Sequence, residues 1–224
     1  MEKERIKPFI ARRAAMEFKD GWVVNLGVGL PTLCTSFLPE GVHVTVHAEV
    51  GIVGQGPTPD ETNRDWLHVV DAGGWPASCV KGGAFVDSAT NFCLIRGGHV
   101  DAVVLGGLEV DEHGSLSNWK IPGKMMPGMG GSMDLLVGAK NVIVAMEHTS
   151  KGNVKILKQC KLPYTAVHCV NKIITEMCVI EVTDDGLVLR EFNAELGTAE
   201  EAIEAIQAVT EPKLIIPLDL KTMP

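Results

Sequence analysis

The feature that most constrains this fold is a pair of short, strand-like runs that carry almost no polar side chains. Residues 102–105 are wholly apolar, and residues 141–146 are apolar after the first position. A strand with one solvated face alternates apolar and polar residues, whereas a parallel strand covered on both faces does not. Candidate helices flank these runs along the chain, the longest being residues 4–19 and 198–209. The pattern predicts an α/β protein with an open, mostly parallel sheet, helices on both faces and antiparallel additions.

Further elements follow from the same two periodicities. Predicted strands are residues 22–26, 42–47, 68–70, 84–86, 108–110, 116–119, 179–182 and 187–192, and predicted helices are residues 31–37, 87–95 and 133–138. Residues 111–114 and 184–186 are typical hairpin turns. Residues 54–63 and 120–132 are predicted loops, and the second is long enough to indicate a function. The 224 residues fit one domain, 1–224, better than two small ones.

Charge and cysteine usage narrow the class of protein. The net charge of −8 argues against a general nucleic-acid surface, which needs a basic patch. Six cysteines occur without a Cys-x-x-Cys pair, mostly in apolar contexts, which favours reduced, buried thiols in a cytoplasmic protein. No apolar stretch approaches the roughly 20 residues that span a bilayer. We therefore expect neither nucleic acid nor a membrane as a partner.

The first candidate site is the turn Gly27-Val28-Gly29, between a predicted strand and a predicted helix. A glycine-rich turn in this context can bind a dinucleotide. The third glycine of that motif is missing, because Thr32 stands in its place, and no P-loop sequence occurs. Two interpretations remain: a tight turn that faces a ligand and a turn with a purely structural role.

The second candidate is Glu49, at the end of the predicted strand 42–47. A carboxylate at such a position is most often a solvated turn residue. However, ligands bind outside the carboxyl ends of strands in open α/β sheets. Apolar residues and glycines flank Glu49, so it lacks polar neighbours along the chain. A carboxylate held in such surroundings can act as a covalent nucleophile.

The third candidate is the glycine-rich end of the long loop, which contains Gly130, Gly131 and Ser132. Consecutive glycines before a helix expose backbone N–H groups, as in an oxyanion hole or an anion nest. A flexible loop tip is the alternative interpretation. A metal site is not expected: His43 and His47 share a strand face but lie ~13 Å apart along it, too far to ligate one ion, and the other histidines are scattered.

These candidates occur in one order in a single known family. The chain resembles the β subunit of class I 3-oxoacid CoA transferases, of the acetoacetate or butyrate–acetoacetate type, from about Arg12 to Ile206. The matching segments are residues 24–32, 49–54, 71–74, 95–101, 104–112, 118–124 and 128–134. Each segment alone is weak evidence, but seven in order are strong evidence.

The resemblance implies a ribose-5-phosphate isomerase-like fold and a ping-pong transfer of coenzyme A between a short-chain acyl-CoA and a short-chain (3-oxo)carboxylic acid. It makes Glu49 the nucleophile, which forms first an acyl anhydride and then a glutamyl-CoA thioester. Gly131 and Ser132 match the oxyanion positions, with Gly130 beside them. Gly27, Gly29, Val50 and Gly51 fall in loops next to the substrate.

The resemblance also implies an α subunit that completes the CoA site, in an α2β2 heterotetramer or similar assembly. Coenzyme A is then a substrate, and no cofactor or metal is expected. One position departs from the family pattern: Val50 precedes Gly51 where the family places asparagine, which bears on acyl specificity. Two alternatives remain, a sugar-phosphate isomerase on the same fold and a non-catalytic assembly subunit. The isomerase is disfavoured because residues 27–32 lack a phosphate loop rich in serine and threonine.

Overall fold

A computed structural model describes residues 1–124 and 128–224, and a ten-stranded mixed sheet forms its centre. The helices are α1 Lys3–Ala15, α2 Ser88–Arg96, α3 Ser132–Gly138 and α4 Ala199–Ala208. The strands are β1 Val23–Leu26, β2 Thr45–Ala48, β3 Ile52–Gln55, β4 Cys79–Phe85, β5 Ala102–Leu105, β6 Glu109–Asp111, β7 Leu116–Ser117, β8 Asn141–Ala145, β9 Thr149–Ser150, β10 Asn153–Val154, β11 Ile156–Leu157, β12 Lys172–Ile174, β13 Cys178–Thr183, β14 Gly186–Phe192 and β15 Lys221–Thr222.

The strand order in this sheet is β15-β14-β13-β12-β8-β5-β1-β2-β3-β4. Its middle, from β12 to β2, is parallel throughout. The antiparallel strands β3 and β4 extend one side, and β13 and β14 extend the other. The predicted open, mostly parallel sheet with antiparallel additions is confirmed.

Alternation along β5 and β8 explains why these strands are apolar at nearly every position. Ala102 and Val104 pack against α1 on one face of the sheet. Val103 and Leu105 pack on the other face, in a cluster with residues of α2, α3 and α4. Because helices cover both faces, neither set of side chains meets water, and burying both sets stabilises the sheet by about 25 cal/mol per Å² of apolar surface.

Polar groups stabilise the packing of α1 against the sheet and the start of α4. Arg13 on α1 is almost fully buried and makes a bidentate ion pair with Glu191 on β14, with both bonds at 2.6 Å. The guanidinium also donates to Glu17 at 2.7 Å. At the start of α4, Thr198 and Glu201 form the capping box expected from their spacing.

Several predicted boundaries are wrong, and hydrogen bonds explain two of them. Residues 42–44 are not a strand, because the His43 amide donates to the Asp20 side chain at 2.7 Å. The predicted helix 31–37 is a 3₁₀ segment, Leu30–Phe37, where the Thr32 hydroxyl and amide both bond to the Gly29 carbonyl oxygen. The predicted strand 68–70 is reduced to a single bridge at Val70.

The remaining elements follow the sequence patterns more closely. Both predicted hairpins form, as β6–β7 and β13–β14. The predicted loop 54–63 begins inside β3, and the C-terminal tail adds the unforeseen edge strand β15. Of the predicted loop 120–132, residues 125–127 lie outside the described residues. No helix in the described ranges combines the length and apolarity needed to cross a bilayer.

Candidate functional site

The site forms where the carboxyl ends of β1 and β2 meet. From β1 the chain proceeds to β2 on one side, while β5 lies on the other side of β1. This change of direction is the switch point at which open α/β sheets bind ligands. Glu49 follows β2 directly and begins the tight turn to β3. Its side chain is half-buried. The sheet topology therefore places this carboxylate at a ligand-binding position, which its location at a strand end does not by itself indicate.

Asn25, on the neighbouring strand β1, fixes one oxygen of Glu49. The Asn25 amide nitrogen Nδ2 donates to Glu49 Oε2 at 3.0 Å and to the His47 carbonyl oxygen at 3.0 Å. The register that places Asn25 opposite His47 makes both contacts possible. Asn25 is 1% exposed. The carboxylate is therefore oriented by a buried amide that is itself held by the sheet.

A second layer of buried polar groups lies beneath the carboxylate. His47 and Asn91 are almost fully buried, and Asn91 Nδ2 donates to the Ala48 carbonyl oxygen at 3.0 Å. His47 Nδ1 lies 3.2 Å from Asn25 Nδ2, which can only donate, so the imidazole proton belongs on Nε2. Burial lowers the pKa of His47, and the neighbouring Asn91 amide and the charge of Glu49 only partly offset it. A neutral imidazole thus supports the strand that carries Glu49.

Gly131 lies close to the aliphatic stem of Glu49. A Cβ atom at position 131 would lie 3.0 Å from Glu49 Cγ, 3.3 Å from Glu49 Cβ and 3.5 Å from Phe92 Cζ. Any larger residue here would force the carboxylate stem to shift. The glycine-rich segment and Glu49, 82 residues apart in the sequence, therefore lie in direct contact.

Gly130 and Ser132, which flank Gly131, differ in backbone conformation and hydrogen bonding. Gly130 adopts a left-handed conformation with φ of 54° and nothing within 4 Å of its would-be Cβ. Ser132 begins α3, and its amide donates to the Met129 carbonyl oxygen at 3.1 Å. Gly131 is buried while Gly130 is exposed. The structure thus places Gly131 against Glu49 and the other two residues at its margins.

Of the remaining predicted site residues, some line the cleft and others pack in the turns beside it. Gly29 lines the cleft beside Glu49. Gly27 instead packs against β5, where its amide donates to the Val104 carbonyl oxygen at 2.8 Å. Val50 is half-exposed at the tip of the turn. Gly51 is buried with φ of 116°, and a Cβ there would lie 2.5 Å from the Val86 carbonyl oxygen. The expected departure from the family pattern at Val50 therefore falls on an exposed side chain.

The cleft beside Glu49 has a volume of about 940 Å³, which is at the upper end for small-molecule sites. Apolar side chains from β1, β2, the 3₁₀ segment and the loop that carries Trp75 form much of its lining. Its ionisable lining groups are His47, Glu49 and Asp71. Among the described residues no three His, Cys, Asp or Glu side chains cluster as metal ligands would. The cleft can thus hold an uncharged organic group against the Glu49 carboxylate.

A fixed carboxylate at a switch point, with a glycine-rich backbone segment against it, is suited to acyl-group chemistry. The family model for coenzyme A transferases matches residues 8–194. The chain therefore belongs to the coenzyme A transferase family, and it is an enzyme that moves coenzyme A between an acyl-CoA and an acid. The isomerase alternative is thereby wrong.

Particular relatives sharpen this assignment. The chain is 47% identical to the beta subunit of the acetate CoA-transferase of Escherichia coli K12 over 96% of each chain. It is 44% identical to one subunit of the probable succinyl-CoA:3-ketoacid coenzyme A transferase of Bacillus subtilis, over 89% of this chain and 92% of that one. An acyl-CoA transferase apoenzyme from E. coli O157:H7 shares the fold with a TM-score of 0.71 at 22% identity. This chain covers 43% of that longer chain, and 98% of this chain is aligned.

The sequence patterns do not single out Asn25, His47 and Asn91 as functional residues. Asn25 lies inside the glycine-rich segment 24–32 that supports the family resemblance, but the resemblance gives it no role. One signal is present in the sequence: Asn25 is a polar residue within an otherwise apolar strand, residues 23–26. A polar side chain at such a position is costly to bury unless it is hydrogen-bonded.

Proposed function

We propose that Glu49 is the nucleophile of a coenzyme A transfer that proceeds through a glutamyl-CoA thioester. The observation that carries this proposal is the environment of its carboxylate, which is half-buried, bonded to Asn25 at 3.0 Å and overlain by Gly131. A solvated turn carboxylate has no such fixed position. Orienting a nucleophile before the substrate arrives removes much of the entropic cost of reaction.

The proposed chemistry has two half-reactions. One Glu49 oxygen attacks the thioester carbonyl of an acyl-CoA, and coenzyme A leaves as its thiolate to give a mixed anhydride. The thiolate then attacks the γ-carbonyl carbon of Glu49 and expels the acyl group as a carboxylate. A second acid reverses these steps and takes up coenzyme A. Because thioesters and anhydrides are similarly activated, neither ATP, a resident cofactor nor a metal is required, and coenzyme A is a substrate.

Backbone amides are the proposed donors to the oxyanion on the substrate. We assign this role first to Gly131, because it is the loop residue in contact with Glu49, with Gly130 beside it. One such donor contributes roughly 3–4 kcal/mol to transition-state stabilisation. The Ser132 amide is engaged by Met129, so its proposed substrate contact is through the hydroxyl. Gly29, as a cleft residue, and Gly27, Val50 and Gly51, as supports of the adjoining turns, are proposed to shape the substrate site.

The proposed partner is an α subunit that completes the CoA site, in an α2β2 heterotetramer. Two observations support a partner: similar proteins are named as single subunits of CoA transferases, one of them as the beta subunit, and the solved acyl-CoA transferase chain is more than twice as long as the part matched here. The proposed acids are short-chain, since these relatives are named for acetate and for a 3-ketoacid. The proposed location is the cytoplasm, supported by six unpaired cysteines.

The test is intact-mass analysis of the assembled enzyme after incubation with an acyl-CoA. Wild-type protein should gain the mass of covalently bound coenzyme A on this chain, and peptide mapping should place it at Glu49. Glu49→Gln should form no adduct and lose transfer activity, whereas Glu204→Gln, an exposed residue of α4, should behave as wild type. Full activity of Glu49→Gln without an adduct would refute the proposal.

A further variant, Glu49→Ala, tests the remaining alternative, in which this chain helps to assemble the transferase while the partner carries the reacting group. In that case Glu49→Ala would leave turnover intact, because the partner would carry the reaction. Retained stability together with lost turnover in Glu49→Ala would exclude this role.

A further inference from the structure

Beyond the nucleophile, the structure assigns a catalytic role to Asn25: its side-chain amide donates to the negative charge that develops on Glu49 itself. This inference rests on the proposed function of Glu49. The reaction has two kinds of tetrahedral intermediate. One carries its oxyanion on the substrate acyl group, and the other carries it on the γ-carbonyl of Glu49. A loop amide at the substrate serves the first kind, and a separate donor is needed for the second.

The position of Asn25 fits the second kind. Its Nδ2 lies 3.0 Å from Glu49 Oε2, within the 2.7–3.1 Å range of effective oxyanion donors. The opposite amide orientation is excluded, because it would set Oδ1 against two acceptors, Glu49 Oε2 and the His47 carbonyl oxygen, each at 3.0 Å. Asn25 therefore presents a hydrogen to the oxygen that stays on Glu49.

Within the described part of the chain, the buried side chain of Asn25 is bonded through its Nδ2 end alone. The residue is 1% exposed, and its Oδ1 has no hydrogen-bond partner among the described residues. Leaving a buried polar oxygen unpaired costs stability. An apolar residue at this place in β1 would remove that cost, but it would also leave the Glu49 oxygen and the buried His47 Nδ1 without this donor. The side chain is therefore committed to donating beside the carboxylate.

The bonding steps can be followed at each Glu49 atom. Oε2 is held by Asn25, so Oε1 is the free oxygen that attacks the acyl-CoA. In the anhydride, Oε1 bridges the two acyl carbons and Oε2 is the carbonyl oxygen of Glu49. When the thiolate attacks Cδ, Oε2 takes up the negative charge; the Cδ–Oε1 bond then breaks, and Oε1 leaves with the departing carboxylate. The attack of the second acid on the thioester charges Oε2 again and expels the thiolate.

Both attacks on Cδ therefore need Asn25, whereas attack on the substrate carbonyl does not. Removing the amide should slow thioester formation and thioester breakdown. It should also let the anhydride persist long enough for water to attack its other carbonyl. The variant should thus divert turnover from transfer to hydrolysis of the acyl-CoA, which a loss of packing alone would not do.

The experiment compares wild type, Asn25→Ala and the control Asn193→Ala in the assembled enzyme. Asn193 is also buried, but it caps a turn after β14 and bonds to the Glu176 carbonyl oxygen, away from Glu49. The glutamyl-CoA adduct is formed with acyl-CoA, freed of acid and exposed to hydroxylamine, and the thiol released is measured. Hydroxylamine attacks only Cδ of Glu49 in this adduct.

We expect the hydroxylamine rate of Asn25→Ala to fall by about 10²–10³-fold and the ratio of hydrolysis to transfer to rise. After denaturation, the adducts of variant and wild type should react at equal rates. If Asn25→Ala accumulates no adduct, acyl-CoA should still release thiol and acid by hydrolysis. Wild-type values of both the hydroxylamine rate and the ratio would overturn the inference, even if kcat/KM fell. Loss of the adduct in wild type would instead refute the proposed function.

Discussion

The substitution Gly131→Ala should lower catalytic activity while leaving the free energy of unfolding nearly unchanged. The Cβ of Gly131→Ala would lie 3.0 Å from Glu49 Cγ and 3.3 Å from Glu49 Cβ. Carbon atoms pack at about 3.5–4.0 Å, so the carboxylate stem must retreat by roughly half an ångström. The φ of −80° at Gly131 suits alanine, and the half-buried Glu49 side chain has room to move. The substitution therefore introduces neither backbone strain nor a cavity.

A misplacement of about 1 Å in a reacting group can cost about 10²-fold in rate, which corresponds to about 3 kcal/mol of activation free energy. We therefore expect kcat/KM of the assembled enzyme to fall by about 10–10²-fold in Gly131→Ala. The urea unfolding free energy should stay within about 0.5 kcal/mol of wild type. The backbone N–H at position 131 is retained, so the loss reports the displacement of Glu49.

The control is Gly21→Ala, which should show the opposite pattern. Gly21 lies just before β1, at the amino end of that strand, with φ of 81° and nothing within 4 Å of its would-be Cβ. Alanine there costs about 1–2 kcal/mol of backbone strain and leaves the site unchanged. Wild-type activity in Gly131→Ala would refute the packing argument, and so would an activity loss that simply tracks unfolding.

Three further outcomes are expected. Burial lowers the pKa of His148 to about 4, below its usual 6.5, so its contribution to stability is complete above pH 6.5 and declines as pH falls toward 4. Between pH 7 and pH 5 this amounts to roughly 2 kcal/mol, which urea titrations should detect in wild type and find reduced in His148→Gln. Arg13→Ala should cost about 3–5 kcal/mol, because Glu191 stays partly buried without its partner, while Arg13→Met should cost less; chemical unfolding measures both. Glu49 and Asp71 are the acidic groups that line the described cleft, and no lysine or arginine lines it. The second carboxylate of succinate would therefore find no cation there. In an acceptor panel, acids with uncharged tails, such as acetate and butyrate, should have a higher kcat/KM than succinate. Equal values for succinate would contradict this.

The sequence predicts the central strands because their signal is local. Residues 102–105 and 141–146 are apolar at successive positions, and only a sheet covered on both faces buries all of them. The capping box at Thr198 and the turns at 111–114 and 184–186 are local signals too. Thr198, Asp111 and Thr183, which precedes the second turn, bond to groups within a few residues. The predicted strand start at residue 42 is wrong because a distant side chain, that of Asp20, bonds to the His43 amide.

The candidate site is only partly predictable from the sequence. Glu49 and Gly131 stand out as separate candidates, and the family resemblance joins them. The placement of Gly131 against the Glu49 stem depends on the start of α3, which packs against α2 and β5, and no local pattern encodes it. Asn25 does not stand out, because its importance depends on its cross-strand register with His47 rather than on its neighbours in the chain.

The sequence by itself determined the class of fold, the family and the identity of the candidate reacting carboxylate, because periodicity, turn residues and ordered motifs are properties of neighbouring positions. Only the tertiary structure decided which oxygen of Glu49 is held and by which amide. It also decided that Gly131 lies on the carboxylate and that Val50 is exposed at the tip of the turn. These relations arise when strands align in register and helices cover the sheet, which brings together residues that are far apart in the chain.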